Sequence, residues 1–410
     1  MGPHRSNREP PDPFGADILA SRIFGNAEHA LLVRLGAVSL VLSATKDVFK
    51  RYYRVFVRMK TYSAFTIAES FGSTLLVAAL VLTGYGVKGA ILAGIILDGI
   101  VLGAASFGVI REIGFSWPKF KNAKTLVSFG LPYVPMAFSI WVAGVSDRYF
   151  LGAFRGAEEV GIYSVSYSLG YTLAMVVFNP IFLILPSIAS RLWNEGKKEE
   201  VKELFQDTLQ ASIFIIAPLL VLAVLFSPQI VRLLTTSEFA QGAHNLPIVA
   251  FGYGFLMISG FGEIVLSLTK KTHVLPLLFG WSAAVNTVLN IFLIPPFGAT
   301  GAATATAATY LLHLIVMVIV TSPLLPLAYH PQSLVKIVAA SAAAFFLVFP
   351  WRPAALWQIA AASVAAFAVY VSATVILKLP TFSILRILLS AIIPHSTSPP
   401  PLEGEAEGGS

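Results

Sequence analysis

The sequence predicts an all-α polytopic membrane protein with about eleven transmembrane helices in two pseudo-symmetric lobes. Three observations predict this fold class. Apolar side chains make up 56% of the 410 residues and charged ones only 12%, against about 25% in an average soluble chain. Mean hydropathy is +0.77. The apolar residues also occur in runs of about 18–25, long enough to cross a bilayer as helices and too long for membrane-barrel strands.

Eleven apolar runs give the predicted helices in chain order. They are 31–47, 62–83, 87–110, 126–150, 160–188, 208–231, 245–268, 273–295, 299–321, 334–350 and 355–377. The first run is the weakest because it is short and carries Arg34. Four prolines fall inside predicted spans, and each should kink or interrupt its helix because proline lacks a backbone N–H. These are Pro132, Pro135, Pro180 and Pro186.

Two polar ends flank these helices. The segment 1–30 lacks the apolar core of a signal peptide, and the tail 394–410 is low-complexity and predicted to be disordered. The predicted organisation is a first lobe at 31–125 and a second lobe at 126–350 with an amphipathic cytoplasmic helix at 191–206. An additional C-terminal helix is predicted at 351–393.

Loop charge predicts the topology. Six Lys or Arg residues lie between 46 and 60, whereas the next loop carries only Lys88, and this alternation continues for eight helices. The positive-inside rule places the charge-rich loops in the cytoplasm, together with the C-terminus. The first predicted helix then starts outside.

An internal repeat predicts two homologous lobes. The letters KT at 60–61 and 271–272 open two helices, and YGVKGA at 85–90 and FGATGA at 297–302 each follow such a helix. The offset is 211 to 212 residues at both ends. A repeat of this kind is typical of transporters. It also predicts that the first lobe lacks about three opening helices, or about 85 residues. Close packing of small residues between helices is the alternative explanation.

Composition and motifs exclude several classes of function. The chain has no cysteine, which excludes disulfides and thiolate metal sites. Its net charge of +7 follows from the loops and does not indicate nucleic acid as a partner. No Asp-x-Asp pair, Ser/His/Asp set or phosphate-cradling loop is present. The sequence therefore predicts a protein that is not an enzyme and uses no cofactor or metal.

Five segments carry a resemblance to a known family. They are FGLPYVP at 129–135, SDRYFLG at 146–152, VGIYSVSY at 160–167, EGKKEE at 195–200 and NIFLIP at 290–295. In order and spacing they resemble the O-antigen-type polysaccharide-biosynthesis flippases of the multidrug/oligosaccharidyl-lipid/polysaccharide exporter superfamily. The resemblance covers about residues 45–380.

This resemblance implies two helical lobes that form a V around a central cavity. It implies transport of a polyprenyl-diphosphate-linked oligosaccharide from the cytoplasmic to the outer leaflet of a bacterial inner membrane. Membrane lipids, and a polysaccharide assembly machinery, would be the partners. Because a charge at the bilayer centre costs about 2.5–3.5 kcal/mol on insertion scales, the cavity should carry cations that shield the diphosphate.

Ionisable and amide side chains inside the predicted spans are the candidate site residues. Arg148 is the first choice for a diphosphate contact, because its guanidinium presents a planar fork of donors. Asp147 precedes it, and adjacent helical residues point about 100° apart, so the two are not expected to pair. The further candidates for the cavity are Arg34, Asn286 and Asn290. Snorkelling to the headgroups is the alternative for the arginines, and helix packing for the asparagines.

Three carboxylates are candidates for ion coupling. Asp98 lies near the middle of an apolar, glycine-rich span, where an unpaired carboxyl could carry a proton. Glu69 and Glu263 lie nearer the cytoplasmic ends of their helices. An interhelical hydrogen bond or local pairing is the structural alternative for each of them.

Other functions stay open from the sequence. A multidrug or cation antiporter of the same superfamily would use such carboxylates to bind its substrate. A peptidoglycan-precursor flippase and a non-transporting remnant are further alternatives.

Overall fold

The computed structural model describes residues 15–18, 21, 30–56, 58–115, 124, 127, 131, 133–326, 331–351, 355–377 and 379. Within these ranges, every long regular element is an α-helix, which confirms the predicted fold class. The helices are α1 Ala30–Val55, α2 Met59–Leu80, α3 Gly86–Ile113, α4 Tyr133–Arg155, α5 Ala157–Asn194, α6 Lys198–Leu234, α7 Asn245–Leu268, α8 Leu275–Thr321, α9 Pro331–Val348 and α10 Leu356–Ile376. The predicted disordered tail lies outside the described residues, as does most of the polar segment 1–30.

Six helical stretches in this part of the chain are long and apolar enough to cross a membrane. Two of them, Lys60–Ile113 with 54 residues and Thr272–Thr321 with 50, are each twice the length of one span. Each is divided by a glycine turn near its middle. If the halves are counted separately and α1, α4 and α9 are added, the described residues contain eleven helices at the predicted positions.

Contacts divide the chain into two compact units, Met1–Lys121 and Asn122–Ser410. The first unit contains α1 to α3, and the second contains α4 to α10. In the second unit, α5, α6, α7 and α8 enclose the main apolar core, which includes Tyr163, Phe178, Phe205, Phe261 and Ile294. That the two units are homologous lobes stays a prediction.

The repeated glycine turn has nearly the same backbone conformation in both units. Gly86 has φ 52° and ψ −136°, and Gly298 has φ 56° and ψ −133°. A side chain with a Cβ rarely adopts these angles, so glycine is required at both positions. The two turns therefore share a local geometry as well as the sequence pattern that relates them.

Two charged side chains hold the turn within α8 (Arg155 and Glu159, the α8 turn clamp). Arg155 Nη2 donates to the carbonyl of Pro295 at 2.7 Å, and the backbone N–H of Ala299 donates to Glu159 Oε1 at 2.7 Å. Prolines and a glycine interrupt the helical ladder here and leave backbone groups unpaired. The clamp satisfies two carbonyls, those of Pro295 and Pro296, and one N–H at this break.

Helix α1 is longer than predicted. The sequence ends the first span at 47 and assigns the cations that follow to a loop, but α1 continues to Val55. Lys46 and Lys50 therefore lie inside a helix, and their side chains are only 10% and 11% exposed. The prediction is wrong here because carboxylates of α2 and α3 neutralise these lysines, which therefore need not lie in water.

The amphipathic segment 191–206 does not form a helix of its own. It comprises the end of α5, a turn at 195–197 and the first turns of α6. Its apolar residues Val201 and Phe205 are fully buried in the main core, so they pack on protein and not on headgroups. In the turn, Lys197 pairs with Glu195 at 2.9 Å and lowers the pKa of that carboxyl.

The prolines in α5 do not interrupt it, since the helix continues through Pro180 and Pro186 to Asn194. Pro135 lies in the first turn of α4, where no helical N–H bond is lost. Pro132 lies outside the described residues. These prolines therefore do not interrupt α5, and a kink at them stays a prediction.

Candidate functional site

A partly buried group of four charges lies within the first unit (Lys46, Lys50, Glu69 and Asp98, the charge quartet). Lys46 Nζ is 2.7 Å from Asp98 Oδ1 and 3.1 Å from Glu69 Oε1. Lys50 pairs with the second oxygen of Glu69. The quartet connects α1, α2 and α3, and its formal charges cancel.

The quartet brings together two predicted coupling residues, Asp98 and Glu69, through cations that the prediction missed. Their side chains are 15% and 16% exposed. A bilayer strongly disfavours an isolated charge, so each carboxylate needs a partner at this depth. In this structure neither is the unpaired carboxyl that the sequence allowed. Proton coupling through them stays a prediction, and it would require breaking an ion pair.

Asp147 and Arg148 are on α4 in the second unit, and they contact each other. Asp147 is fully buried and accepts hydrogen bonds from the Tyr163 hydroxyl at 2.6 Å and the Arg148 backbone N–H at 2.8 Å. Arg148 Nη1 lies 3.5 Å from Asp147 Oδ1 and 2.9 Å from the carbonyl of Gly144. The expectation that the two residues do not pair was wrong, because the arginine side chain folds back along the helix.

The guanidinium of Arg148 is held on one side and open on the other. It lies over the ring of Tyr167, 4.1 Å from the ring centroid, and the side chain is 24% exposed. Among the described residues, the hydrogen bonds of the guanidinium use Nη1, which leaves Nε and Nη2 free to donate. A preoriented guanidinium with two free donor nitrogens suits the oxygens of a phosphate or a carboxylate.

Tyrosines around Arg148 form a cluster that the sequence analysis missed. Tyr163, Tyr167 and Tyr171 follow the i, i+4, i+8 spacing of one face of α5. The hydroxyl of Tyr167 bonds both Gly144 and Tyr253, and the ring of Tyr253 packs on that of Tyr310 at 5.2 Å. The spacing on α5 is a signal that could have predicted the cluster.

Asn286 and Asn290 are fully buried on α8. Asn286 Oδ1 accepts from Ser146 at 3.0 Å and from Asn290 at 2.9 Å, and its amide donates to Thr309 at 3.4 Å. These bonds connect α4 with both halves of α8, in the way polar residues join membrane helices. A contact with sugar stays a prediction, since neither side chain presents surface here.

Glu263 lines a cavity of about 810 Å³ in the second unit. The cavity also contains Asn179, Trp193 and Lys270. Among the described residues, Glu263 makes no ion pair and no hydrogen bond through its side chain. The backbone of Lys270, which lines the same cavity, has φ 59°. This conformation is uncommon for a residue with a side chain. Coupling through Glu263 stays a prediction.

Arg34 lies apart from the quartet, on the exposed face of α1. It is 3.5 Å from Asp17, and the side chains are 47% and 46% exposed. Within the part of the chain that the structure describes, no group of three His, Asp or Glu could hold a metal ion.

Comparison with known proteins identifies the family. The profile described as polysaccharide biosynthesis protein matches residues 14–244, more than half of the chain. The chain belongs to this family.

Three relatives that match this chain come from archaea. An uncharacterized membrane protein of Methanocaldococcus jannaschii is 27% identical over 49% of this chain and 41% of its own length. A probable low-salt glycan biosynthesis flippase of Haloferax volcanii is 23% identical over 47% and 41%. A probable flippase of the same organism is 30% identical over 57% and 49%. The chain spans less than half the length of these relatives.

One solved structure shares the fold of this family member. It is the lipid II flippase MurJ in an inward closed conformation, with a TM-score of 0.70 and 14% sequence identity. The likeness covers 92% of this chain and 81% of that one. Together with the apolar helices, it supports a multi-pass membrane protein with the fold of a transporter.

Proposed function

We propose that this protein is a flippase that moves a polyprenyl-diphosphate-linked oligosaccharide from the cytoplasmic to the outer leaflet of the inner membrane. The observation that carries the proposal is the family match over 14–244. Two relatives named as probable flippases and the fold of a lipid II flippase support it. Transport of this kind makes and breaks no covalent bond, so the protein is not proposed to be an enzyme.

Arg148 is the proposed diphosphate contact. Its free nitrogens, Nε and Nη2, can donate to phosphate oxygens while Nη1 stays bonded to Gly144. Asp147 positions the guanidinium through an ion pair, and Tyr167 positions it through contact with the face of its ring. Asp147 is thus a positioning residue and does not itself contact an anion.

The charge quartet is the proposed coupling element. Its four charges are held on three helices. Protonation of Glu69 would break the ion pairs that join α2 to α1, and protonation of Asp98 would break the pair that joins α3 to α1. Alternating access requires an element with two arrangements of this kind. The membrane potential could drive the same change.

A peptidoglycan-precursor flippase is the second candidate, favoured by the fold likeness to a lipid II flippase. Its substrate also carries a diphosphate on a polyprenyl tail, so Arg148 would have the same role. A cation antiporter is less supported, because Glu69 and Asp98 are already paired with lysines.

Complementation tests this function. A bacterial strain that lacks the flippase for its surface polysaccharide should regain the polymer when supplied with the wild-type protein. Arg148→Ala should reduce surface polymer at least tenfold, and Arg148→Lys should fall in between, because lysine keeps the charge but not the planar fork. Arg191→Ala, at the exposed end of α5, is the matched control. Full rescue by Arg148→Ala at equal protein levels would exclude Arg148 from the mechanism.

A further inference from the structure

The first unit also contains a cavity. It lies beside the charge quartet and has a strongly cationic wall. Its volume is about 620 Å³. It is lined by Asp47, Lys50, Arg51, Arg54, Val55 and Tyr62. Five of these residues are on the last turns of α1, and Tyr62 is in the first turn of α2.

Helical geometry explains why the charges converge. Lys50 and Arg54 are four residues apart and share a face of α1, and Arg51 lies next to that face. Asp47 is the only carboxylate among the residues that line the cavity. The wall therefore carries a formal net charge of +2.

No described residue neutralises the two arginines. Among the described residues, neither Arg51 nor Arg54 makes an ion pair or a side-chain hydrogen bond. Arg58, one turn further on, is paired with Glu112. Unpaired guanidinium groups are therefore not a general property of the arginines near this end of α1.

The remaining groups suit a phosphate in particular. Two guanidinium groups offer planar forks that match phosphate oxygens, and Tyr62 can add a hydroxyl donor. The first turn of α2 begins at Met59 without a side-chain cap, so its positive dipole end lies next to the cavity. A carboxylate ligand would use fewer of these donors.

We propose that Lys50, Arg51 and Arg54 form a binding site for a phosphate-bearing anion, supplied by a lipid headgroup or free in solution. The site rests on charge and geometry within α1 and α2 and does not depend on the transport activity proposed above. It is separate from Arg148, which lies in the other unit.

Lys50 belongs both to this site and to the charge quartet, where it pairs with Glu69. A phosphate in the cavity competes with Glu69 for the same ammonium group. Binding of the anion therefore weakens the link between α1 and α2. Conversely, removing the charge of Glu69 should strengthen binding of the anion.

The test measures binding by the full chain in a neutral detergent. Inorganic diphosphate is titrated by calorimetry, and retained phosphatidylglycerol and phosphatidylcholine are compared by native mass spectrometry. The site variant is Arg51→Ala with Arg54→Ala, both at exposed positions. The matched control is Lys60→Ala with Arg111→Ala, which removes two charges from the same unit outside the cavity. Thermal melting confirms that both variants are folded.

The site variant should weaken binding at least tenfold, and the control by less than twofold. Loss of phosphatidylglycerol alone would identify a lipid headgroup as the ligand, and loss of diphosphate alone would identify a free anion. An equal loss in both variants would show diffuse attraction and overturn the proposal, as would the absence of binding by the wild type.

A third variant, Glu69→Gln, tests the shared lysine. It should tighten binding of the anion about threefold, because Lys50 loses its competitor. Unchanged affinity in a folded Glu69→Gln protein would exclude Lys50 from the site.

Discussion

Replacing Gly298 by alanine tests the α8 turn clamp, and Gly86 supplies a control within the same chain. Both glycines have φ above 50° and ψ near −135°, so alanine strains the backbone equally at both. Around Gly86 an added Cβ meets nothing within 4 Å. At Gly298 it would overlap the carboxylate of Glu159, which must then move away from Ala299.

The magnitudes follow from these contacts. Backbone strain costs about 1–3 kcal/mol at either position. Loss of a hydrogen bond to a charged group adds about 1.5–3 kcal/mol at Gly298 only. Gly298→Ala should therefore destabilise the protein by about 2 kcal/mol more than Gly86→Ala.

The assay is reversible unfolding in mixed micelles, followed by helical circular dichroism. In a Glu159→Ala background the bond to Ala299 is already lost, so Gly298→Ala should cost no more than Gly86→Ala does. This double-mutant cycle isolates the contact with Glu159. Equal costs of the two glycine substitutions in the wild-type background would refute the clamp.

Two further substitutions test the buried polar groups in the same unfolding assay. Lys46→Met leaves two partly buried carboxylates with one cation and should cost about 3 kcal/mol; adding Asp98→Asn should recover more than half, and no recovery would contradict the pairing. Tyr163→Phe removes a donor to the buried Asp147 and should cost about 1–2 kcal/mol. Tyr171→Phe is its control, because its hydroxyl makes no hydrogen bond among the described residues, and equal losses in the two variants would contradict the assigned role.

The positions of the helices could be predicted from the sequence because the length of an apolar run is fixed by the bilayer. The glycine turns could be predicted as well, since a spaced pair of glycines recurs at a constant offset. The division of Thr272–Thr321 near Gly298 follows from such local signals, which require no knowledge of packing.

The partners of the charged residues could not be predicted. Lys46 lies 52 residues before Asp98, and no local pattern reports a contact at that distance. The pairing of Asp147 with Arg148 depends on a rotamer that carries the guanidinium back to Gly144. Contacts and rotamers of this kind are determined by tertiary packing, and the spacing of residues in the sequence does not predict them.

The cations of α1 have a consequence for biogenesis. A lysine at membrane depth resists insertion, and α1 is not among the six stretches that are apolar enough to enter lipid alone. Its neutralising partners Glu69 and Asp98 are synthesised 23 and 52 residues after Lys46, which at ribosomal speed is a delay of about 1–10 s. We expect the nascent α1 to remain beside the translocon during this interval and to enter lipid together with α2 and α3.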